Sequence, residues 1–122
     1  MSDDGGVLGV DEAGDAGRLV GAWRVVALDG EDVADLGPSL TFDGDRQVYG
    51  MAGVNRVRGT WTLADGTLTF GPVVATLMAG PPRASACERR LLALLAEPLR
   101  VVLAGDDLTL TDPDGSTAHL TR

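Results

Sequence analysis

The stretch Gly50–Leu63, GMAGVNRVRGTWTL, constrains the fold more than any other part of the chain because its residues alternate in character. One parity consists of Asn55, Val57, Gly59, Trp61 and Leu63, and the other of Arg56, Arg58, Thr60 and Thr62. Successive side chains of a strand point to opposite faces, so the first set predicts a core face and the second a solvent face. Asn55 is the one polar side chain in the core set, and we expect it to be buried.

Length and composition limit the classes of protein that fit. A chain of 122 residues with 44% hydrophobic residues predicts one globular domain with a modest core. No apolar run approaches the roughly 20 residues of a membrane span. The acidic start MSDDGG lacks a signal-peptide pattern, so we expect a cytoplasmic protein, with export after removal of a leader as the alternative. The net charge of −8 makes nucleic-acid binding unfavourable.

The acidity is concentrated at the N-terminus. Residues 1–17 carry five acidic residues, five glycines and no base, which leaves a net charge of −3 for residues 18–122. We expect residues 1–17 to form a disordered acidic tail, with an acidic docking arm as the alternative. The folded domain is therefore predicted to span residues 18–122.

The rest of the chain predicts short strands joined by turns. The first strand is predicted at Arg18–Leu28, and a short apolar continuation at Val73–Met78 follows the break at Gly71 and Pro72. The residues expected to face the core on the other strands are Trp23, Val25, Leu40, Phe42, Leu108, Leu110, Ala118 and Leu120. About eight strands with tight connections favour an antiparallel meander that curls.

One helix is predicted, at Arg83–Glu97, and Pro98 ends it. Its apolar stripe consists of Ala84, Cys87, Leu91, Leu94 and Leu95. A single amphipathic helix must bury its stripe, and the concave face of the sheet is the available partner. The predicted fold is α+β: a curled antiparallel sheet or open β-barrel of about eight strands, with one α-helix packed on the concave side.

The candidate binding residues are Asn55, Arg56 and Arg58. A buried Asn55 needs hydrogen bonds, which either tie the Gly50–Gly53 turn to a neighbouring backbone or contact a ligand at the mouth of the sheet. Arg56 and Arg58 form either a solvated face or a patch for an anion or a partner protein.

No motif predicts catalysis, a metal or a cofactor. Cys87 is the single cysteine and lies on the helix stripe, so it is either a small core residue or a reactive thiol. Asp112–Gly115, with its D-x-D-G pattern, suits a hairpin turn better than a calcium loop. His119, the single histidine, is expected on the outer face of the last strand. We expect no catalytic residues, no metal site and no cofactor.

The order of motifs resembles the META domain family, also called HslJ-like. The motifs are Gly21-Ala22-Trp23-Arg24, Ser39-Leu40-Thr41-Phe42, G-x-x-G-x-N-R-x-x-G at Gly50–Gly59, LTFGP at Leu68–Pro72, ATLMA at Ala75–Ala79, LLAL at Leu91–Leu94 and GDDLTL at Gly105–Leu110. Relatives commonly carry cysteines where this chain has Val54 and Gly80, so a disulfide or redox role of those cysteines does not carry over. The family has no established catalytic residues, and it is linked to heat shock in bacteria.

The resemblance implies a non-enzymatic, stress-associated domain that binds a protein partner or a small apolar ligand. A helix that fills the concave face would favour the protein partner, and a roomy apolar pocket would favour the ligand. One alternative is a small hydrolase or isomerase that uses His119 and carboxylates. The other is a structural or assembly module with an exposed strand edge, and we expect a monomer or a weak homodimer.

Overall fold

A computed structural model describes residues 12–122, with side chains described from Ala16 onward. In chain order, the elements are helix α1 (Glu12–Leu19), strands β1 (Gly21–Leu28) and β2 (Glu31–Asp32), a 3-10 turn (Ala34–Leu36), strands β3 (Ser39–Phe42), β4 (Gln47–Met51), β5 (Arg56–Ala64), β6 (Thr67–Phe70) and β7 (Val74–Ala75), helix α2 (Pro82–Leu95), and strands β8 (Leu99–Ala104), β9 (Asp107–Thr111) and β10 (Thr117–Thr121).

Eight of these strands form a closed antiparallel barrel. The neighbours around its wall are β1, β3, β4, β5, β6, β8, β9 and β10, and β10 pairs back with β1. The short strands β2 and β7 add to β1 and β5 respectively. The predicted α+β fold is confirmed. The predicted curled sheet or open barrel is in fact closed, because β1 pairs with β10. The seam between β6 and β8 is short, with only two residue pairs.

Large apolar side chains fill the interior of the barrel. Trp23, Phe42 and Trp61 are each at most 1% exposed, and the rings of Phe42 and Trp61 meet edge to face at 5.4 Å. Ten of the residues predicted to face inward are buried: Trp23, Val25, Leu40, Phe42, Val57, Trp61, Leu108, Leu110, Ala118 and Leu120. Gly59 and Leu63, which belong to the same predicted set, are only partly buried. In β5, Val57 and Trp61 face the core, as predicted, and Arg56 and Arg58 are exposed on the outer face.

Helix α2 covers one end of the barrel. All five residues of the predicted stripe are buried. The Arg90 guanidinium donates to the Leu28 carbonyl oxygen over 2.7 Å, at the last residue of β1, and pairs with Glu31 over 2.8 Å. The helix therefore holds strand ends together on its polar side and closes the core on its apolar side. None of the described helices combines the length and apolar character needed to cross a membrane.

Helix α1 differs from the sequence-based expectation. Residues 12–17 were expected in a disordered tail and Arg18 at the start of a strand, but Glu12–Leu19 are helical and β1 begins at Gly21. The Trp23 indole N–H donates to the Leu19 carbonyl oxygen over 2.8 Å, and the Leu19 side chain is fully buried. Burial of Ala16 and Leu19 stabilises this helix although its two glycines have poor helix propensity. Residues 1–11 of the predicted tail lie outside the described residues.

Candidate functional site

Asn55 lies at the junction of β5, helix α2 and the loop 76–80, which we call the Leu77 loop. Its side chain is 4% exposed. Its amide nitrogen donates to the Met78 carbonyl oxygen over 3.1 Å and to Glu88 Oε2 over 2.7 Å. Its amide oxygen accepts from the Thr76 hydroxyl over 2.9 Å and from the Met78 N–H over 2.7 Å. These four bonds use the full capacity of a carboxamide, so protein groups alone satisfy it.

Glu88 anchors the same junction to helix α2. Its Oε1 accepts from the backbone N–H groups of Val54 over 3.0 Å and of Asn55 over 2.6 Å. Desolvation of this partly buried carboxylate would raise its pKa, but the hydrogen bonds from the Asn55 side chain and the two backbone amides outweigh it and lower the pKa of Glu88. Glu88 is therefore ionised at neutral pH, and its bonds are charge-assisted.

The Asn55 junction presents apolar side chains to solvent. Thr76 and Met78 are both fixed by Asn55, yet Leu77 between them is 98% exposed and Met78 is 68% exposed. Val74 in β7 is 66% exposed. These residues were expected in a strand at Val73–Met78, but β7 ends at Ala75 and a loop follows. A held loop that displays leucine and methionine is unusual on a monomeric surface and marks a candidate contact site.

An open groove of about 1020 Å³ lies beside this loop on the outer face of β4, β5 and β7. We call it the outer groove. Cross-strand pairing forms one row across it, in which Arg58 lies between Tyr49 and Val74. The second row places Arg56 beside Met51, and the Thr76 N–H donates to the Arg56 carbonyl oxygen over 3.1 Å. Two guanidinium groups are thus set among apolar side chains.

The charges of Arg56 and Arg58 are not neutralised within the part of the chain that the structure describes. Neither side chain makes an ion pair with a described residue. In contrast, Arg83 pairs with Asp35 over 2.6 Å, and Arg90 pairs with two acidic residues. Asp43 also lines the outer groove, but its Oδ1 accepts the N–H groups of Asp45 and Gln47 in the β3–β4 turn. The groove therefore offers two available cations.

The other candidates of the sequence analysis lie apart from this site. His119 faces outward on β10, with its side chain 45% exposed and its Nε2 3.6 Å from Asp107 Oδ1. Cys87 is 2% exposed, and burial raises the pKa of its thiol, so it packs as a small core side chain. Asp112 Oδ1 accepts the N–H groups of Asp114 and Ser116, which is a turn interaction. The described residues contain no group of three or more side chains suited to a metal ion.

Sequence reasoning identified Asn55, Arg56 and Arg58, and the structure brings these three to the Asn55 junction and the outer groove. It missed Glu88, because a glutamate on the polar side of a helix gives no sequence signal that it meets a turn 33 residues earlier. It also missed the exposure of Leu77. A short apolar run between prolines carries no signal that separates an exposed loop from a strand.

Val54 and Gly80 contact each other beside the Asn55 junction. A β-carbon built on Gly80 would overlap the Val54 methyl groups and would lie 3.2 Å from the Val54 β-carbon. The valine fills the space that the glycine leaves, so packing joins the Leu77 loop to the β4–β5 turn at this point.

Comparisons with solved structures show the same fold. An NMR structure of a protein from Burkholderia xenovorans superposes with a TM-score of 0.74 at 23% identity, covering 98% of this chain and 94% of that one. A second NMR structure has a TM-score of 0.68 at 21% identity, covering 83% of this chain and 88% of that one. A crystal structure of a DUF4847 family protein from Bacteroides vulgatus ATCC 8482 has a TM-score of 0.62 at 15% identity, covering 84% and 92%.

The chain matches a protein-family model but no curated protein. The family model of the META domain matches residues 18–122, which include every barrel strand, helix α2 and the Asn55 junction. The chain belongs to the META domain family.

Proposed function

We propose that this chain is a non-enzymatic binding domain that recognises an acidic segment of a partner protein on the outer groove and the Leu77 loop. The observation that carries the proposal is Leu77, which is 98% exposed although Asn55 fixes the residues on both sides of it. A preorganised apolar side chain loses little conformational entropy when a partner covers it. Exposed apolar groups of this kind are the usual centre of a protein contact.

The filled interior favours a protein partner over a small apolar ligand. Lipocalin-like binding needs an enclosed cavity inside the barrel. Here Trp23, Phe42 and Trp61 occupy the interior, and helix α2 covers one end with its apolar stripe. The outer groove is instead shallow and open, and its two rows mix apolar side chains with Arg56 and Arg58. That composition suits a protein surface.

The acidic character of the partner follows from the two arginines. Arg56 and Arg58 have no ion-pair partner among the described residues and lie two residues apart on one face of β5. Guanidinium groups bind carboxylates with two parallel hydrogen bonds. A segment with carboxylates flanking an apolar residue would satisfy both arginines and cover Leu77 or Val74.

The hydrolase or isomerase alternative has less support. It needs His119 in a cleft beside an acidic group. His119 and Asp107 are 3.6 Å apart, but their side chains are 45% and 61% exposed on the outer face, away from the outer groove. Among the described residues, His119 does not line the outer groove or either of two other surface grooves.

A random twelve-residue peptide display library tests the proposed function. We expect the selected peptides to combine acidic and apolar residues and to bind at least tenfold more weakly to two variants, Leu77→Asp and the double variant Arg56→Glu/Arg58→Glu. The reason is that the first removes the apolar contact and the second reverses the charge of the groove. Isothermal titration of the purified variants measures the loss.

Matched controls lie on β8, outside the outer groove. Val102→Asp changes a valine that is 56% exposed on β8, and Arg100→Glu reverses an exposed arginine of the same strand. Both should bind the selected peptides within twofold of the unchanged protein. Peptides without acidic residues, or peptides that bind all the variants equally, would overturn the proposed function.

A further inference from the structure

Strand β7 has an unpaired edge. It pairs only with β5, and no other described strand lies against its second edge. The Thr76 N–H bonds to Arg56, and hydrogen-bonded and non-hydrogen-bonded pairs alternate in antiparallel strands, so Ala75 opposite Val57 is a non-hydrogen-bonded position. The N–H and C=O groups of Ala75 therefore point away from β5, toward the free edge. An edge of this kind is a template for pairing with another chain.

An apolar groove of about 370 Å³ runs beside the free edge. We call it the edge groove. Its walls are Val73 and Ala75 on one side and Leu92, Leu95 and Ala96 of the α2 end on the other. The weak seam between β6 and β8, with two residue pairs, lies at the same side of the barrel. The edge groove can accept one or two aliphatic side chains, and it lies on the opposite edge of β7 from the outer groove.

We propose that the partner segment binds by adding an extended strand to the free edge of β7. Alternate side chains of the added strand are apolar and enter the edge groove, and those between them are acidic and face outward. This inference rests on the proposed function, because it takes the same acidic segment and names its conformation and its sequence pattern. Backbone hydrogen bonds to Ala75 supply affinity, and the alternating side chains supply specificity.

The geometry of the outward side chains is consistent with this pattern. Neighbouring strands lie about 4.8 Å apart, so the added strand would be two spacings from β5 with only β7 between them. Val74 and Thr76 are the β7-side residues of the two rows that contain Arg58 and Arg56. Long arginine side chains lay their stems along apolar neighbours and place the charge beyond them. Carboxylates of the added strand are thus within reach of both guanidinium groups.

Backbone N-methylation of the tightest peptide from the display library tests the inference without altering the protein. Methylating every second nitrogen removes the N–H groups of one edge of the peptide. We expect one of the two alternating sets to weaken binding at least tenfold and the other to change it less than threefold. We also expect amide hydrogen exchange at Ala75 to slow at least tenfold in the complex, with no change at Gly105 in the β8–β9 turn.

The outcomes separate this inference from the proposed function. If the Arg56→Glu/Arg58→Glu variant weakens peptide binding but neither set of N-methyl groups does, strand addition is wrong and the proposed function still stands. A library that yields no binding peptide would overturn both. If the free protein sediments as a dimer at high concentration with the Ala75 amide already protected, a second copy occupies the edge and the inference is wrong.

Discussion

At the scale of the residue, the G-x-x-G-x-N sequence at Gly50–Asn55 is a packing motif. A β-carbon on Gly50 would overlap the Ser39 carbonyl group of β3. Gly53 has a φ of +141°, and a β-carbon there would lie 2.5 Å from the Ala84 carbonyl oxygen of helix α2. Each glycine therefore admits a neighbouring backbone, and Asn55 bonds the Leu77 loop to the helix. The motif therefore helps to set the geometry of the surface, and protein groups satisfy the hydrogen bonds of its asparagine.

Glu88→Gln tests the importance of the Asn55 junction. The glutamine would turn one N–H donor toward another at Asn55 Nδ2, so we expect a loss of about 1–3 kcal/mol in the free energy of unfolding at pH 7. The hydrogen bonds depress the pKa of Glu88 in the folded state, so its stabilising contribution is present above the unfolded pKa and is lost as pH falls through the folded pKa. The difference between the two proteins should therefore shrink below pH 4. Urea unfolding at pH 7, 5 and 3 measures it.

Glu97→Gln is the control for this prediction. Glu97 lies just beyond the end of α2, is exposed and has no side-chain hydrogen bond with a described residue, so its substitution should change the free energy of unfolding by less than about 0.5 kcal/mol. A Glu88→Gln protein as stable as Glu97→Gln, or a difference that grows in acid, would contradict the role given to Glu88.

The sequence could predict which of these residues are special but not what they contact. Alternation placed Asn55 in the core set, and burial of an amide demands partners, so its hydrogen bonds were predictable. The groups that accept and donate these hydrogen bonds could not be predicted from the sequence. Asn55 meets Met78 and Glu88, which are 23 and 33 residues away, and these contacts depend on how the Leu77 loop and helix α2 pack against the start of β5.

At the scale of the element, the Leu77 loop is held at both ends. Asn55 fixes it at Met78, and the contact between Val54 and Gly80 fixes it two residues later. Helix α2 follows directly at Pro82, where proline suits the first turn because its missing N–H would be unpaired there anyway. The loop therefore presents Leu77 in a defined position.

A disulfide engineered between positions 54 and 80 should tighten the loop. In the double variant Val54→Cys/Gly80→Cys the β-carbons would start about 3.2 Å apart, and a small backbone shift brings them to the usual separation of about 3.5–4.5 Å. Closing this loop predicts a gain of about 3 kcal/mol in the free energy of unfolding of the oxidised protein relative to the reduced one. Thermal unfolding with and without reductant measures the gain.

Peptide binding supplies the second readout for the disulfide variant. Because the loop is already ordered in its presenting position, the oxidised variant should bind the selected peptides within threefold of the unchanged protein. An oxidised protein that is no more stable than its reduced form would contradict the contact between Val54 and Gly80. A loss of binding on oxidation would show that the loop must move to engage a partner.

The elements themselves were predicted unevenly. Helix α2 was predicted with its complete buried stripe because a period of 3.6 residues is strong over fourteen residues. Helix α1 was missed because Glu12–Leu19 contains two glycines and is stabilised by burial of Ala16 and Leu19. Strand β7 is shorter than the predicted apolar continuation at Val73–Met78, because it ends at Ala75 and Leu77 and Met78 lie in an exposed loop.

At the scale of the whole molecule, the barrel is a closed scaffold whose interior is occupied. Two tryptophans, a phenylalanine and nine leucines are fully buried in it or against its ends. Four of the six large apolar side chains that are exposed among the described residues lie together around β7, namely Tyr49, Val74, Leu77 and Met78. Recognition is therefore expected on the outer wall, where a rigid sheet presents charges and a loop presents apolar groups.

Recognition on the outer wall is tested most directly by a map of the backbone amide chemical shifts of the labelled protein, recorded with and without the selected peptide. The prediction is that the largest changes fall on β4, β5, β7 and the Leu77 loop, with Arg56, Arg58 and Leu77 among them. The chemical shifts of amides beside the interior residues Trp23 and Phe42 and beside His119 should not change. Changes centred on the interior or on His119 would contradict a binding surface on the outer wall.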